Sequence, residues 1–374
     1  MRRLVILISA IIMLDVAFYA AVAPLLPHYV DEHDLSKTGA GILTGSYAAG
    51  SLTGAIPGGW LAGRWGVKPT TLAGLLGLAV SSLVFGLAQE IWLLDVARFT
   101  QGVAGACTWA AGFAWIVERA PVGRRGEVIG TPLAAAIAGA LMGPVLGAAA
   151  AEFGPEIVFT GVAVTALALA VPAAREPAAP GEATDVRRVA AAVRIPAVRM
   201  GIWLVALPAV AAGVLNVLVP LRLDALGAAS VAIGATYLVA AGLEALMSPI
   251  VGRLSDRRGR LVPIRAGLVA VAVLLILIPI PGSAPLVAVL FVCTALAAAA
   301  FWAPAMALLS DEVERMRVQQ GYAFAFTNIA WSGGLLLGNG GGSALAEATA
   351  DWVSYGAVAL LFVVTFAAVA RRTT

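Results

Sequence analysis

Four ionisable side chains stand deep inside long apolar runs of this 374-residue chain: Asp15, Asp95, Arg98 and Glu244. Charge at membrane depth is expensive, so such residues are functional candidates by default. Asp15 lies about 11 residues into its run, which at about 1.5 Å per residue puts it near a bilayer midplane. A carboxyl there can carry a proton in one state and, in another, release it or pair with a cation. Tyr19, one helical turn on, is within reach of it. Arg98 cannot lose its proton, so it must pair with Asp15, Asp95 or a backbone carbonyl, and it offers a switchable counter-charge. Glu244 precedes Gly252 by eight residues, roughly 12 Å inside the end of its run. Facing a cavity it is a second proton or cation site; facing elsewhere it is a wetted carboxylate. The plainer readings are a permanently paired carboxyl and a structural arginine.

Aromatic and amide residues complete a candidate pocket: Gln101, Trp109, Asn216, Phe301, Trp302, Asn328 and Trp331. A large apolar cavity with few polar groups suits amphipathic ligands, and aromatic faces hold cations. Singly, each of these serves equally as packing or as an interfacial anchor. The two histidines, His28 and His33, are expected in or beside a short acidic loop with Asp31, Glu32 and Asp34. A solvated loop explains them without a metal. There is no P-loop for ATP, no helical histidine to act as base and no Ser-His pair at depth, so an enzyme and a bound cofactor are not expected.

The elements that hold these residues are read from hydropathy. Hydrophobic residues make up 61% of the chain, charged residues 12%, and the mean hydropathy is +0.94. That composition describes a polytopic membrane protein. Cys107 and Cys293 both fall in apolar runs and read as packing residues. Twelve stretches have spanning length: 4–27, 37–62, 70–88, 91–117, 127–151, 156–173, 199–221, 230–252, 262–280, 285–309, 318–342 and 352–370. The fold class is therefore an all-α membrane protein with twelve transmembrane helices in two pseudo-symmetric six-helix bundles, 1–173 and 199–374. The Pro-, Gly- and Arg-rich stretch 174–198 joins them as a cytoplasmic linker. Arg2-Arg3 followed by apolar residues to Pro27, without a small-residue cleavage site, predicts a retained first helix. With the N-terminus inside, every basic residue except Lys37, Arg98 and Arg222 falls in an inner segment, as the positive-inside rule requires. Both termini are then cytoplasmic. The basic balance orients the chain, and no nucleic-acid partner is implied.

One loop appears twice. Gly59, Leu61, Arg64 and Gly66 recur 193 residues later as Gly252, Leu254, Arg257 and Gly259. A second repeat, at an offset of 195, matches Gly139, Gly143 and Gly147 with Gly334, Gly338 and Gly342, Asn339 replacing Pro144. Small residues four apart allow close helix packing, and a proline removes one backbone bond. The expected role of the run is a bendable, leak-tight contact where the halves slide; tight packing alone is the alternative. Duplicated halves of this kind are characteristic of transporters that rock one half against the other.

Twelve helices, two related halves and this loop resemble the major facilitator superfamily, whose loop signature is roughly G-x-x-x-D-R-x-G-R. Gly252, Asp256, Arg257, Gly259 and Arg260 fit it; the first copy departs, with Gly63 where the acid stands, followed by Arg64 and Gly66. Arg98-x-x-Gln101-Gly102-x-x-Gly105 looks like the family's helix 4 motif, and Gly139-x-x-x-Gly143-Pro144-x-x-Gly147 like its antiporter motif. Asp15 followed by Pro24-Leu25-Leu26-Pro27 is similar to the drug:proton antiporter branch that includes vesicular monoamine transporters. The resemblance implies that Asp256 meets the start of helix 5 near Glu127 and closes an inner gate, and that Gly63 cannot make the mirror contact. It further implies a monomeric, plasma-membrane, proton-coupled exporter of small amphipathic or cationic molecules, working by alternating access. The alternatives are a uniporter or symporter of a dedicated metabolite and, more distantly, a non-transporting receptor of the same fold. The expected partners are a small-molecule substrate, protons and the lipid bilayer.

Overall fold

A computed structural model describes residues 1–120, 125–178, 194–315 and 321–371. Within those segments the side chains of 125–129, 249, 256, 302, 303, 307, 310–315 and 321–325 lie outside the description.

Twelve helices are found among the described residues. The first six are α1 (Arg2–His33), α2 (Lys37–Trp65), α3 (Val67–Leu87), α4 (Ile91–Glu118), α5 (Arg125–Phe153) and α6 (Pro155–Arg175). The second six are α7 (Pro196–Ala225), α8 (Ser230–Arg258), α9 (Leu261–Leu277), α10 (Ala284–Arg315), α11 and α12 (Asp351–Ala370). α11 begins as Gly321–Leu336, widens to a π-helix over Leu337–Gly342 and ends as Ser343–Ala348, with helical backbone angles at both joins. Lipid offers no hydrogen bonds to a backbone, so helices that satisfy their own groups are the expected solution. Eight of the described helices are long and apolar enough to cross a membrane by length and composition. The chain is a multi-pass membrane protein.

Four helices run well past the ends expected from sequence, among them α8, to Arg258, and α10, to Arg315. Pro24 and Pro27 do not end α1, which continues to His33. His28, Asp31, Glu32 and His33 therefore occupy its last turns, and the connection to α2 shrinks to residues 34–36. At the other end of the chain, the helix expected to stop at residue 342 continues to Ala348 beyond its π-helical stretch.

The chain divides into two compact units, one of residues 1–28 and 46–186, the other of 29–45 and 187–374. Their internal packing repeats with the sequence. α3 packs on α4 and α6 in the first unit; α9 packs on α10 and α12 in the second. In lipid, van der Waals fit and hydrogen bonds replace the hydrophobic effect as the force between helices. The first unit accordingly holds a tight ring cluster of Phe18 on α1, Phe85 on α3 and Phe159 on α6, with centroids 4.9–5.5 Å apart. In the second, Phe301 on α10 meets Phe362 on α12 at 6.0 Å, and Trp203 Nε1 on α7 donates to Thr365 Oγ1 on α12 at 2.9 Å.

The repeated loop's backbone explains one of its glycines. Gly66 and Gly259, matched in the repeat, have φ of 96° and 85°, a region that L side chains rarely adopt. Each lets the chain reverse at once between neighbouring helices.

Candidate functional site

Spacing along α4 places Arg98, Gln101, Gly102, Gly105 and Trp109 on one face of the helix, at intervals of three and four residues. That face meets α1 and α2. Asp15 on α1 is fully buried, and Trp109 Nε1 donates to its Oδ2 at 3.1 Å. Arg98, Tyr47 and Gln101 also interact with this carboxyl. A Cβ at position 105 would stand 2.9 Å from Asp15 Oδ2 and 3.0 Å from Oδ1, so the missing side chain of Gly105 is the space the carboxyl fills. Gly102 has a related duty: a side chain there would strike the backbone of Tyr47 on α2.

Arg98 is 1% exposed. Its Nη1 donates to Gln101 Oε1, and its guanidinium lies 5.1–6.0 Å from the ring centroids of Phe18, Tyr19, Tyr47 and Phe85. A weakly hydrated planar cation stacked among rings can be buried in this way where an ammonium could not. The sequence reading named Asp15, Asp95 or a backbone carbonyl as its partner; its charge does act on Asp15, and the structure adds an amide oxygen and four aromatic faces. Tyr19 lies against Tyr47, with centroids 4.6 Å apart. Two buried atoms in this cluster, Asp15 Oδ1 and Gln101 Nε2, have no partner in hydrogen-bonding geometry. Buried polar atoms are rarely left so, and here an acceptor and a donor are orphaned together.

The structure brings together Asp15, Tyr19, Arg98, Gln101 and Trp109 of the expected residues. Asp95 stands one turn before Arg98, half-buried, with its Oδ1 lacking a hydrogen-bond partner. Glu244 belongs to the other unit and is exposed on α8 beside Leu243 and Met247, also exposed. Asn216, Asn328 and Trp331 are half-buried in that unit. Phe301 is fully buried between Gly267 of α9 and Phe362 of α12, a packing position within its bundle. The side chain of Trp302 lies outside the described residues.

Among the gating residues, Arg64 is exposed with its guanidinium 5.3 Å from the Trp60 ring, and Arg257 is exposed. Gly252 has open space where a side chain would stand. Gly59 falls in the last two turns of α2. The Asp256 side chain and that of Glu127 lie outside the described residues. Gly139, Gly143 and Gly147 press α5 onto the backbone of α1 at Met13, Ala17, Ala20 and Ala21, with Pro144 between them. Gly334, Gly338 and Gly342 press α11 onto α7 in the same manner. These contacts lie inside each unit and are close helix packing, the alternative that the sequence reading gave for them.

Sequence reasoning missed Tyr47, Phe18 and Phe85. Nothing local distinguishes them from core aromatics, because their role depends on a guanidinium brought from another helix. It also passed over Asn339, buried in the π-helical stretch with its Oδ1 unpartnered. The loss of the repeat's proline at this position was the available signal.

A sequence profile described as Major Facilitator Superfamily matches residues 6–214 and 201–374. The MFS-type transporter ppzB of Metarhizium majus (strain ARSEF 297) is 31% identical over 161 residues, 41% of this chain and 35% of that protein. The multidrug resistance protein MdtG of Enterobacter lignolyticus (strain SCF1) is 30% identical over 277 residues, 70% of this chain and 66% of that protein. The matches thus span about a third of the first relative's length and just under two thirds of the second's. A crystal structure of a bacterial homolog to the human lysosomal transporter Spinster, inward-facing and occupied, superposes with a TM-score of 0.82. It covers 99% of this chain and 97% of that one at 16% identity, a likeness of fold alone.

Proposed function

This chain belongs to the major facilitator superfamily of secondary transporters, and we propose that it is a proton-coupled exporter of small amphipathic or cationic molecules. Members of this family move solutes and are not enzymes. The observation that carries the proposal is the cluster around Asp15. One fully buried carboxyl accepts from Trp109 and has Arg98, Tyr47 and Gln101 acting on it, while its second oxygen lacks a partner in hydrogen-bonding geometry. A proton on Asp15 or a cationic substrate beside it would each neutralise the same charge, so the two compete for one site. That competition is the elementary requirement for exchange. The aromatic faces of Tyr19, Tyr47 and Trp109 suit a cationic, amphipathic ligand. Relatives named multidrug resistance proteins, covering up to 70% of this chain, support export of such compounds.

In this reading the halves 1–173 and 199–374 rock about the linker 174–198, from a plasma-membrane protein with both termini cytoplasmic. Arg98 couples the proton to conformation, since its charge acts on Asp15 only while the aromatic cluster holds it. Glu244 and Asp95 are secondary protonatable sites. Asp256 and the repeated glycine loops form the inner gate. The lack of an acid at Gly63 leaves the outward-open state less favoured than a paired loop would make it.

Flux in proteoliposomes with an imposed pH gradient and a luminal pH dye tests the proposal. Lipophilic cations should drive proton movement in the wild type and not in Asp15→Asn, with Glu244→Gln partly retaining it. Substrate flux without proton movement would mean a uniporter, and Asp15 would lose its role as carrier.

A further inference from the structure

The other unit holds a polar cavity of its own. At the end of the bundle where α7 and α9 finish and α2 and α12 begin, a cavity of about 270 Å³ is lined by Lys37, Arg222, Tyr355, Asp351, Trp352 and Pro279, among others. Its polar wall is cationic on balance, two bases against one acid. Lys37 is held by Asp351, which uses one of its three donors. Arg222 Nη2 donates to the carbonyl of Pro281 at 3.3 Å, one of five donors. The Tyr355 ring is buried, and its hydroxyl interacts with both Asp351 and Arg222. These two bases are also the exceptions to the charge asymmetry of the chain. The positive-inside rule expects the other bases outside helix interiors in inner segments, so orientation does not explain the placement of these two.

The apolar side of the cavity is formed by Ile278, Pro279, Ala350 and Trp352, and Trp352 is 67% exposed. An amphipathic indole at a helix end marks the level of lipid headgroups. A phosphate ester at this level would meet a guanidinium, an ammonium and a phenol together, while its apolar part ran along Trp352 and Ile278. Guanidinium groups suit phosphate oxygens because they bind with two parallel donors.

We infer that the Lys37–Arg222–Tyr355 cavity binds an anionic phosphate ester, the phosphodiester headgroup of a membrane lipid in the first instance. The ester competes with Asp351 for Lys37, so occupancy loosens the ion pair that fastens the start of α2 to the start of α12.

Thermal unfolding of the full chain in a nonionic detergent tests this, with dihexanoyl phosphatidylglycerol, inorganic phosphate and a neutral short-chain diacylglycerol as separate additions. The lipid should raise the midpoint saturably. Its half-saturating concentration should rise at least tenfold in Arg222→Gln and at least threefold in Tyr355→Phe, which keeps the ring and so the packing. Asp351→Asn should tighten it by freeing Lys37. Equal stabilisation by inorganic phosphate, lost in the same variants, would keep the site and make a free phosphate its ligand. A response to the neutral lipid alone, no saturable response, or a response unchanged in both Arg222→Gln and Tyr355→Phe would overturn the inference.

Discussion

Gly105→Ala isolates the geometry of the carboxyl from its chemistry, because Asp15 itself is untouched. The new Cβ would stand 2.9 Å from Oδ2 and 3.0 Å from Oδ1, where ordinary contact starts at 3.4 Å, so the carboxyl must retreat by about 0.5 Å. The Trp109 bond, now 3.1 Å, would lengthen to about 3.6 Å and cease to be a hydrogen bond. Losing a bond to a charged group costs about 1.5–3 kcal/mol, and replacing a mid-helix glycine by alanine returns about 0.5–1 kcal/mol. The net penalty is about 0.5–2.5 kcal/mol, centred near a tenfold change in an equilibrium constant. It falls on the positioned carboxyl, since the two helix backbones keep their separation. Substrate-driven proton movement in proteoliposomes should therefore fall roughly tenfold. Gly161→Ala on α6, where a Cβ meets nothing within 4 Å, should stay within about twofold of wild type. Full activity in Gly105→Ala, with an unchanged pH profile, would refute the view that this gap positions the carboxyl.

Three further outcomes are expected. Arg98→Lys replaces a stacked planar cation by a compact, strongly hydrated one; losing cation–π contacts of about 2 kcal/mol in a desolvated site should abolish coupled transport and lower the unfolding midpoint, and wild-type coupling in this variant would discard the stacking argument. Gly41→Ala would drive a Cβ into Ser343 Oγ and the backbone carbonyl of Asn339, which cannot yield together, so the start of α2 should detach from α11. A Gly41→Ala/Ser343→Ala pair should remain as destabilised in thermal unfolding, because the carbonyl clash persists; full rescue would place the clash wrongly. Glu347 is exposed near the end of α11, and the Thr38 hydroxyl, then the Thr38 N–H at 2.6 Å, hold its carboxyl below the ordinary value. A lowered folded-state pKa means that this contact's stabilisation is present above the unfolded value of about 4.3 and is lost as pH falls through the folded value. Thermal midpoints recorded from neutral to acid pH should show a smaller acid decline in Glu347→Gln than in the wild type; parallel curves would remove the contact from the account.

The sequence by itself determined the twelve helices, the duplication, the expected orientation and the short list of deep charges. Those are local or one-dimensional properties: run length against bilayer thickness, basic residues beside run ends, and matching residues at a fixed offset. It also placed Asp15, Arg98 and Gln101 among the candidates, because a charge or amide in an apolar run is anomalous wherever the run goes, and Trp109 for the aromatic face it offers a cation. Tertiary structure alone decided what those residues meet. Arg98 sits among rings from three other helices, and Tyr47 and Phe85 look like any core aromatic until that cation is beside them. Phe301 shows the converse: an aromatic on a candidate cavity helix that turns instead to Gly267 and Phe362. The glycine runs are legible as close-packing signals, yet only the fold shows that they join α5 to α1 and α11 to α7. Nor do two prolines near the end of an apolar run reveal that α1 continues past both of them to His33. Composition and period describe each helix against its solvent; the direction a side chain takes is settled by which neighbour leaves room for it.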